Sequence, residues 1–247
     1  MAENWEKYED RTDEHEFASR MLASPAARVC LLVGPAGSGK SHLARAAADS
    51  LGLRSYVVPM TSDTSAADLV GFFMPKGEAG RWEFYRGAAL MAFTDGGVLI
   101  LDDVDRATDE LGALAILHHL ADEPATARLT LPIPSADGGE VTTVTAHPNF
   151  RLVATSNLID PFKTDPALAD RFAMRIPVIN VRADLIPTDV AGAAVFGNRG
   201  GRAARAFAQL VAAGSTVADA VRAVAPDDYA ALAEVIEAAE ANLPAPS

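Results

Sequence analysis

Two stretches of this sequence have residue types and spacing that can do chemistry: "GPAGSGKS", Gly34 to Ser41, and the pair Asp102–Asp103 at the end of "VLILDD". The first fits G-x-x-x-x-G-K-[ST], with an apolar run before it and a helix-forming run after it. Its glycines let a loop wrap so that backbone N–H groups converge on phosphate oxygens. The helix start that follows adds the positive end of its dipole. Lys40 supplies a mobile positive charge for β- and γ-phosphates, and the Ser41 hydroxyl is a Mg²⁺ ligand. The nucleotide-binding stretch is therefore Gly34, Pro35, Ala36, Gly37, Ser38, Gly39, Lys40, Ser41 and His42. Carboxylates at the end of a buried strand are costly unless paired, hydrogen-bonded or bound to a cation. In a parallel sheet, ligands collect at the carboxyl ends of strands. Asp102 is thus expected beside Ser41, holding Mg²⁺ from the second shell, and Asp103 is expected to orient or deprotonate the attacking water.

These groups need a sheet to hold them. "RVCLLV", "SYVVPM", "VLILDD", "FRLVATSN" and "AMRIPVI" read as strands. Helices or helical turns are expected at "TDEHEFASRML", with Phe17 and Met21 facing the core, and from about Ser41 to Leu51. Others are expected at "SAADLVG", "RGAALMAF", "DELGALAILHHL" and "DPALADRF". Alternation of this kind predicts an α/β protein with a parallel, doubly wound sheet. Two hairpins interrupt it, near 71–85 and 128–145. From residue 185 the sequence turns Ala-rich, and three short helices predict a small all-α lid. The division expected is 1–184 for the core and 185–247 for the lid.

The bulk properties narrow the function. The 247 residues are 49% hydrophobic and 22% charged, a globular composition. A net charge of -12 argues against a face that tracks a nucleic-acid backbone. The one cysteine, Cys30, lies in an apolar run and cannot form an internal disulfide framework, so a reducing cytoplasm is expected. The charged opening "MAENWEKYEDRTDEHE" has no apolar core of a signal peptide, and no apolar run approaches the ~18 residues that span a bilayer. His118–His119 has no second ligand one turn away, and the His42 and His147 side chains read as structural.

The ordered series of motifs resembles an AAA+ ATPase of the MoxR-like branch, which includes the CbbQ/NorQ-type activators and dynein-related modules. "GPAGSGKS" is similar to the Walker A motif of P-loop NTPases and "LILDDVDRA" to Walker B. "HPNFRLVATSN" resembles the segment ending in the sensor 1 asparagine, here Asn157, and "DPALADRF" the arginine-finger loop. The resemblance implies ATP and Mg²⁺ as cofactors. It implies catalytic roles for Lys40, Asp103, Asn157 and a finger at Arg171, with Arg175 as competing candidate. It also implies a sensor 2 arginine in the lid, best matched by Arg202 against Arg199 and Arg205. Arg106 is a lesser candidate for a subunit interface.

Asp103 departs from the family, which usually has glutamate there. One methylene less shortens its reach to water, so slow ATP hydrolysis is expected. The resemblance further implies a homo-oligomeric, hexameric ring acting as a chaperone or remodelling motor on a protein client, one class of which carries a von Willebrand A domain. The alternatives are a nucleic-acid-linked motor or loader, and an ATP-dependent assembly scaffold with little turnover. Phe72, Phe73, Trp82, Phe84 and Tyr85 either pack the first hairpin or, if exposed, grip the client.

Overall fold

The computed structural model describes residues 14–24, 28–34, 36–77, 82–108, 110–123, 125–133, 141–178, 209–210 and 213–224. By its internal contacts the chain forms two units, residues 1–34 with 40–178, and residues 35–39 with 179–247.

The first unit is built on five strands: β1 (Val29–Val33), β2 (Ser55–Pro59), β5 (Gly97–Asp102), β8 (Phe150–Ser156) and β9 (Arg175–Pro177). They form one sheet in the order β2-β5-β8-β1-β9, and every neighbouring pair is parallel. The strands are near-continuous apolar runs because both faces of the sheet are covered. Alternate residues go to opposite faces. Leu31, Leu99, Leu101, Leu152 and Ala154 join one buried cluster, and Cys30, Leu32, Val98, Ile100 and Val153 join the other.

Helices α1 (Glu14–Ala23) and α2 (Lys40–Ser50) cover the second of these faces. The first is covered by α3 (Ala66–Val70), α4 (Ala88–Asp95), α5 (Ala113–Leu120) and α6 (Pro166–Arg171). Within α1 the expectation for Phe17 fails. Phe17 is 47% exposed, while Ala18 and Leu22 are buried against α2. The helix turns its smaller residues inward because α2 presents an alanine face, Ala44, Ala47 and Ala48, that permits close approach.

The strand expected from "AMRIPVI" is short: β9 covers Arg175–Pro177. The helix expected over 109–120 begins at Ala113, after a 3₁₀ turn at Val104–Arg106 and a left-handed Gly112. Both hairpins form. β3 (Gly71–Pro75) pairs antiparallel with β4 (Trp82–Arg86), and β6 (Arg128–Leu131) with β7 (Thr142–Thr145). The β6–β7 hairpin is tied to the core because its alternation buries Leu129 and Leu131. The β3–β4 hairpin touches the core through the half-buried Phe84 and is otherwise open. Phe72, Phe73, Trp82 and Tyr85 are all exposed, and Phe84 packs edge-on against Phe73 at 5.2 Å.

In the second unit, α7 (Val217–Val224) coincides with the middle one of the three helices expected there. Thr216 caps it: its hydroxyl accepts the Asp219 N–H at 3.1 Å and donates to the Asp219 carboxylate at 3.0 Å. Most of the residues expected to form the other two lid helices lie outside the described residues.

Candidate nucleotide-binding site

Sheet order decides what meets at the carboxyl ends of the strands. β8 lies between β5 and β1, with Leu101 opposite Ala154 and Val33 opposite Ser156. One residue further along, Asp102 lies beside Thr155 and Gly34 beside Asn157. The connection after β1 runs to β2, beyond β5 and β8, whereas the connection after β8 runs to β9 on the other side. Neighbouring strands whose connections leave in opposite directions open a crevice at their carboxyl ends, where α/β proteins bind ligands.

Five of the residues expected to act together, Lys40, Asn157, Asp103, Ser41 and Asp102, are joined at that crevice by direct bonds. The Lys40 ammonium donates to the Gly34 carbonyl at 2.9 Å and to Asn157 Oδ1 at 3.0 Å. Asn157 Nδ2 in turn donates to Asp103 Oδ1 at 3.4 Å. The Ser41 hydroxyl donates a short hydrogen bond to Asp102 Oδ1. Lys40 corrects one expectation: it is not a freely mobile charge but the first residue of α2, only 5% exposed, with its ammonium held. In the loop itself, Gly37 and Gly39 have φ of 77° and 95°, conformations that a side chain would strain. Ser38 is buried, and Ala36 and His42 are exposed. Pro35 lies outside the described residues, as do Arg199, Arg202 and Arg205.

Asp103 has the most unusual backbone of the group. Its φ of 56° and ψ of 53° are left-handed, and it is the only non-glycine residue with positive φ among the described residues. Aspartate tolerates this region better than most residues, but the conformation still needs outside support. Support comes from Thr155, whose hydroxyl accepts the Asp103 N–H at 2.9 Å and donates to Asp102 Oδ1 at 2.7 Å. Arg106 stands 3.4 Å from the other side of the Asp103 carboxylate, and Asp105 accepts the Asn157 N–H at 3.2 Å. Thr155 and Asp105 were not singled out from the sequence. The available signal for Thr155 was a hydroxyl following the apolar run Leu152–Ala154, two residues before Asn157.

The finger candidates lie elsewhere. Arg171 ends α6 and is paired with Asp122, its Nε at 2.9 Å and Nη2 at 2.8 Å from Oδ1. It shares a cavity of about 470 Å³ with Arg28, Val29 and Asp122 at the start of β1. Lys40 donates to the Gly34 carbonyl, just past the other end of the same strand, whose five residues span about 16 Å at ~3.3 Å each. Arg175 is paired with Asp160 at 3.1 Å and donates to the Ile159 carbonyl at 3.0 Å. His118 has a structural partner, with Nε2 2.8 Å from Asp165 Oδ2 at the cap of α6. Among the described residues, no group of three or more His, Cys, Asp or Glu side chains is arranged to hold a metal.

A parallel sheet of this order, with a Gly-rich loop and a lysine at the switch point and a carboxylate pair on the adjoining strand end, defines a P-loop NTPase. A family model for AAA domains of the dynein-related subfamily matches residues 29–172. The chain belongs to this subfamily, in the MoxR-like family of AAA+ ATPases. Protein CbbQ of Hydrogenophilus thermoluteolus is 35% identical to it over 139 residues, which is 56% of this chain and 48% of that protein. Protein NorQ of Paracoccus denitrificans is 36% identical over 127 residues, 51% of this chain and 43% of that one. The denitrification regulatory protein NirQ of Stutzerimonas stutzeri is 38% identical over 93 residues, 38% of this chain and 32% of that one. The chain spans half or less of the length of these relatives. Among the described residues no helix is long and apolar enough to cross a membrane.

Proposed function

We propose that this chain binds MgATP at the ends of β1, β5 and β8 and hydrolyses it to remodel a protein partner, working as one subunit of a homo-oligomeric ring. The observation that carries the reading is the linked set Lys40–Asn157–Asp103 and Ser41–Asp102 in the switch-point crevice of an AAA domain.

The residues fit the ligand. Ser41 and Asp102 offer a hydroxyl and a carboxylate, hard oxygen donors of the kind Mg²⁺ prefers. Bound there, Mg²⁺ would neutralise charge on the phosphate oxygens. Lys40 exchanges its present acceptors for phosphate oxygens. Asp103 takes a proton from, or orients, the water that attacks the terminal phosphorus as the bond to the leaving diphosphate breaks. Asn157 steadies Asp103 and the phosphate. Arg171 acts in the neighbouring subunit, which agrees with its place near the start of β1, whereas Lys40 bonds past the end of that strand. Arg202 is the sensor 2 arginine, 1–184 is the core and 185–247 the lid. The ring is hexameric. Its client is a protein, of which one carrying a von Willebrand A domain is a candidate, and the site of action is the cytoplasm. The exposed β3–β4 aromatics are the surface that grips it. The short reach of Asp103 makes turnover slow.

The test begins with calorimetric titration of the full chain with ATP and Mg²⁺, with turnover measured alone, with added DNA or RNA, and with captured client. Absence of Mg²⁺-dependent binding rejects the site. Stimulation by nucleic acid rejects the protein-remodelling role. A pull-down with ATP bound and hydrolysis blocked identifies the client.

A further inference from the structure

We propose that Thr155 is the positioning residue of this site, its single hydroxyl holding the Asp102 carboxylate and the left-handed backbone of Asp103 in one arrangement. The inference rests on the hydrolysis reading above for its catalytic consequence, though not for the tether itself.

Direction follows from proton count. The Asp103 N–H can only donate and the Asp102 carboxylate can only accept, while a threonine hydroxyl has one proton and two lone pairs. Hence the N–H donates to Thr155 Oγ1 at 2.9 Å, and Oγ1 donates its own proton to Asp102 Oδ1 at 2.7 Å. Consecutive bonds of this kind polarise and strengthen one another, more so away from water. Thr155 is 0% exposed, so no solvent competes for its hydroxyl.

The link matters because of what lies at each end. Asp102 Oδ1 also accepts the Ser41 hydroxyl, so Thr155 fixes the carboxylate against which the phosphate loop's serine is set. At the other end, φ of 56° disfavours any residue with a Cβ, and an untethered Asp103 relaxes out of the left-handed region. Relaxation would carry its carboxylate away from Asn157, now 3.4 Å distant. A hydroxyl on the neighbouring strand thus couples the metal-side and water-side carboxylates, which adjacency in the chain alone does not do.

The substitutions that separate the bond from the packing are Thr155→Val, which keeps the volume and removes the hydroxyl, and Thr155→Ser, which keeps the hydroxyl and removes the methyl. In the nucleotide-free full chain, amide hydrogen exchange at Asp103, read by NMR, is expected to quicken about tenfold or more in Thr155→Val and to stay within about threefold in Thr155→Ser. With MgATP, kcat of Thr155→Val is expected to fall about tenfold or more while KM changes by less than about threefold, and Thr155→Ser restores it. Unchanged exchange at Asp103 in Thr155→Val overturns the tether. A kcat for Thr155→Val within about threefold of wild type, or a Thr155→Ser as slow as Thr155→Val, overturns the positioning role. Thr155→Ala, which asks the buried slot for nothing larger than a methyl group, carries the same readouts if the valine variant does not fold. Exchange needs no nucleotide, so a wild-type chain that binds no ATP rejects the hydrolysis reading and leaves the Asp103 exchange to decide the tether.

Discussion

Lys40 Nζ stands 3.0 Å from Asn157 Oδ1, a bond between residues 117 apart in the sequence, and the Asn157 amide continues it to Asp103. The asparagine faces the lysine with its oxygen and the aspartate with its nitrogen, so one side chain serves both charges. Asn157→Ala is expected to lower kcat by about tenfold or more while ATP affinity changes by less than about threefold. Asn157→Asp is expected to weaken ATP binding as well, because it adds a negative charge beside the phosphate site and next to Asp103. Calorimetry and steady-state turnover on the two variants separate the cases. Equal affinities in both would remove Asn157 from the phosphate site.

Because Lys40 is buried, its replacement should preserve the stem. Lys40→Met keeps the methylene packing and removes the ammonium. It is expected to reduce ATP affinity by about tenfold or more with the thermal transition nearly unchanged, whereas Lys40→Ala also removes the buried stem and destabilises by about 1–2 kcal/mol. Differential scanning calorimetry with and without MgATP checks both outcomes.

The left-handed turn makes Asp103 substitutions distinguishable by stability as well as rate. Asp103→Asn should fold as well as wild type, since asparagine also tolerates this region, and should lose hydrolysis while keeping ATP. Asp103→Ala is expected to cost about 1 kcal/mol of stability from the backbone alone. Asp103→Glu restores the missing methylene but accepts the left-handed turn less readily, so it is expected to be less stable than wild type. Its turnover then reports whether reach limited the rate. An alanine variant as stable and as active as wild type would show that neither turn nor carboxylate matters.

Arg171→Ala breaks the Asp122 pair, whose partners are 31% and 30% exposed, so the stability loss should stay near or below ~1 kcal/mol. ATP binding should survive and turnover should vanish if the arginine completes a neighbour's site. Mixing Arg171→Ala with Lys40→Met should recover part of the activity, because some interfaces then have one intact site and one intact finger. Rings verified as mixed that remain inactive would argue against action in trans.

The Arg86–Asp95 pair braces β4 against the end of α4, and the guanidinium holds the Asp95 carboxyl down to about 2, with help from Thr94. A carboxyl whose pKa is lower in the folded state stabilises it above the unfolded value of 3.8, and that contribution fades as pH falls toward 2. Both side chains are more than two-fifths exposed, so screening keeps the effect below ~1 kcal/mol. The stability gap between wild type and Asp95→Asn should therefore be present at pH 6 and close between about pH 4 and 2. Chemical denaturation across that range measures it.

The phosphate loop was legible because its signal is local: three glycines, a lysine and a serine between an apolar run and a helix can be recognised without knowing what lies beside them. The same holds for Asp102 and Asp103, where a buried run ends in two charges, and for both hairpins, which follow from alternation and turn residues. The tertiary structure set β8 against β1 as well as β5, and that ordering and its register bring Thr155 to Asp102, Asn157 to Lys40 and Asp105 to the Asn157 backbone. It also decided that Lys40 is buried, that Phe17 faces outward, and that Arg171 is held by Asp122. The physical reason is range. Turn chemistry and hydrophobic period act over a few neighbours, whereas the partner of a hydroxyl or an ammonium many tens of residues away is set by which strands pair, and no short pattern encodes that choice.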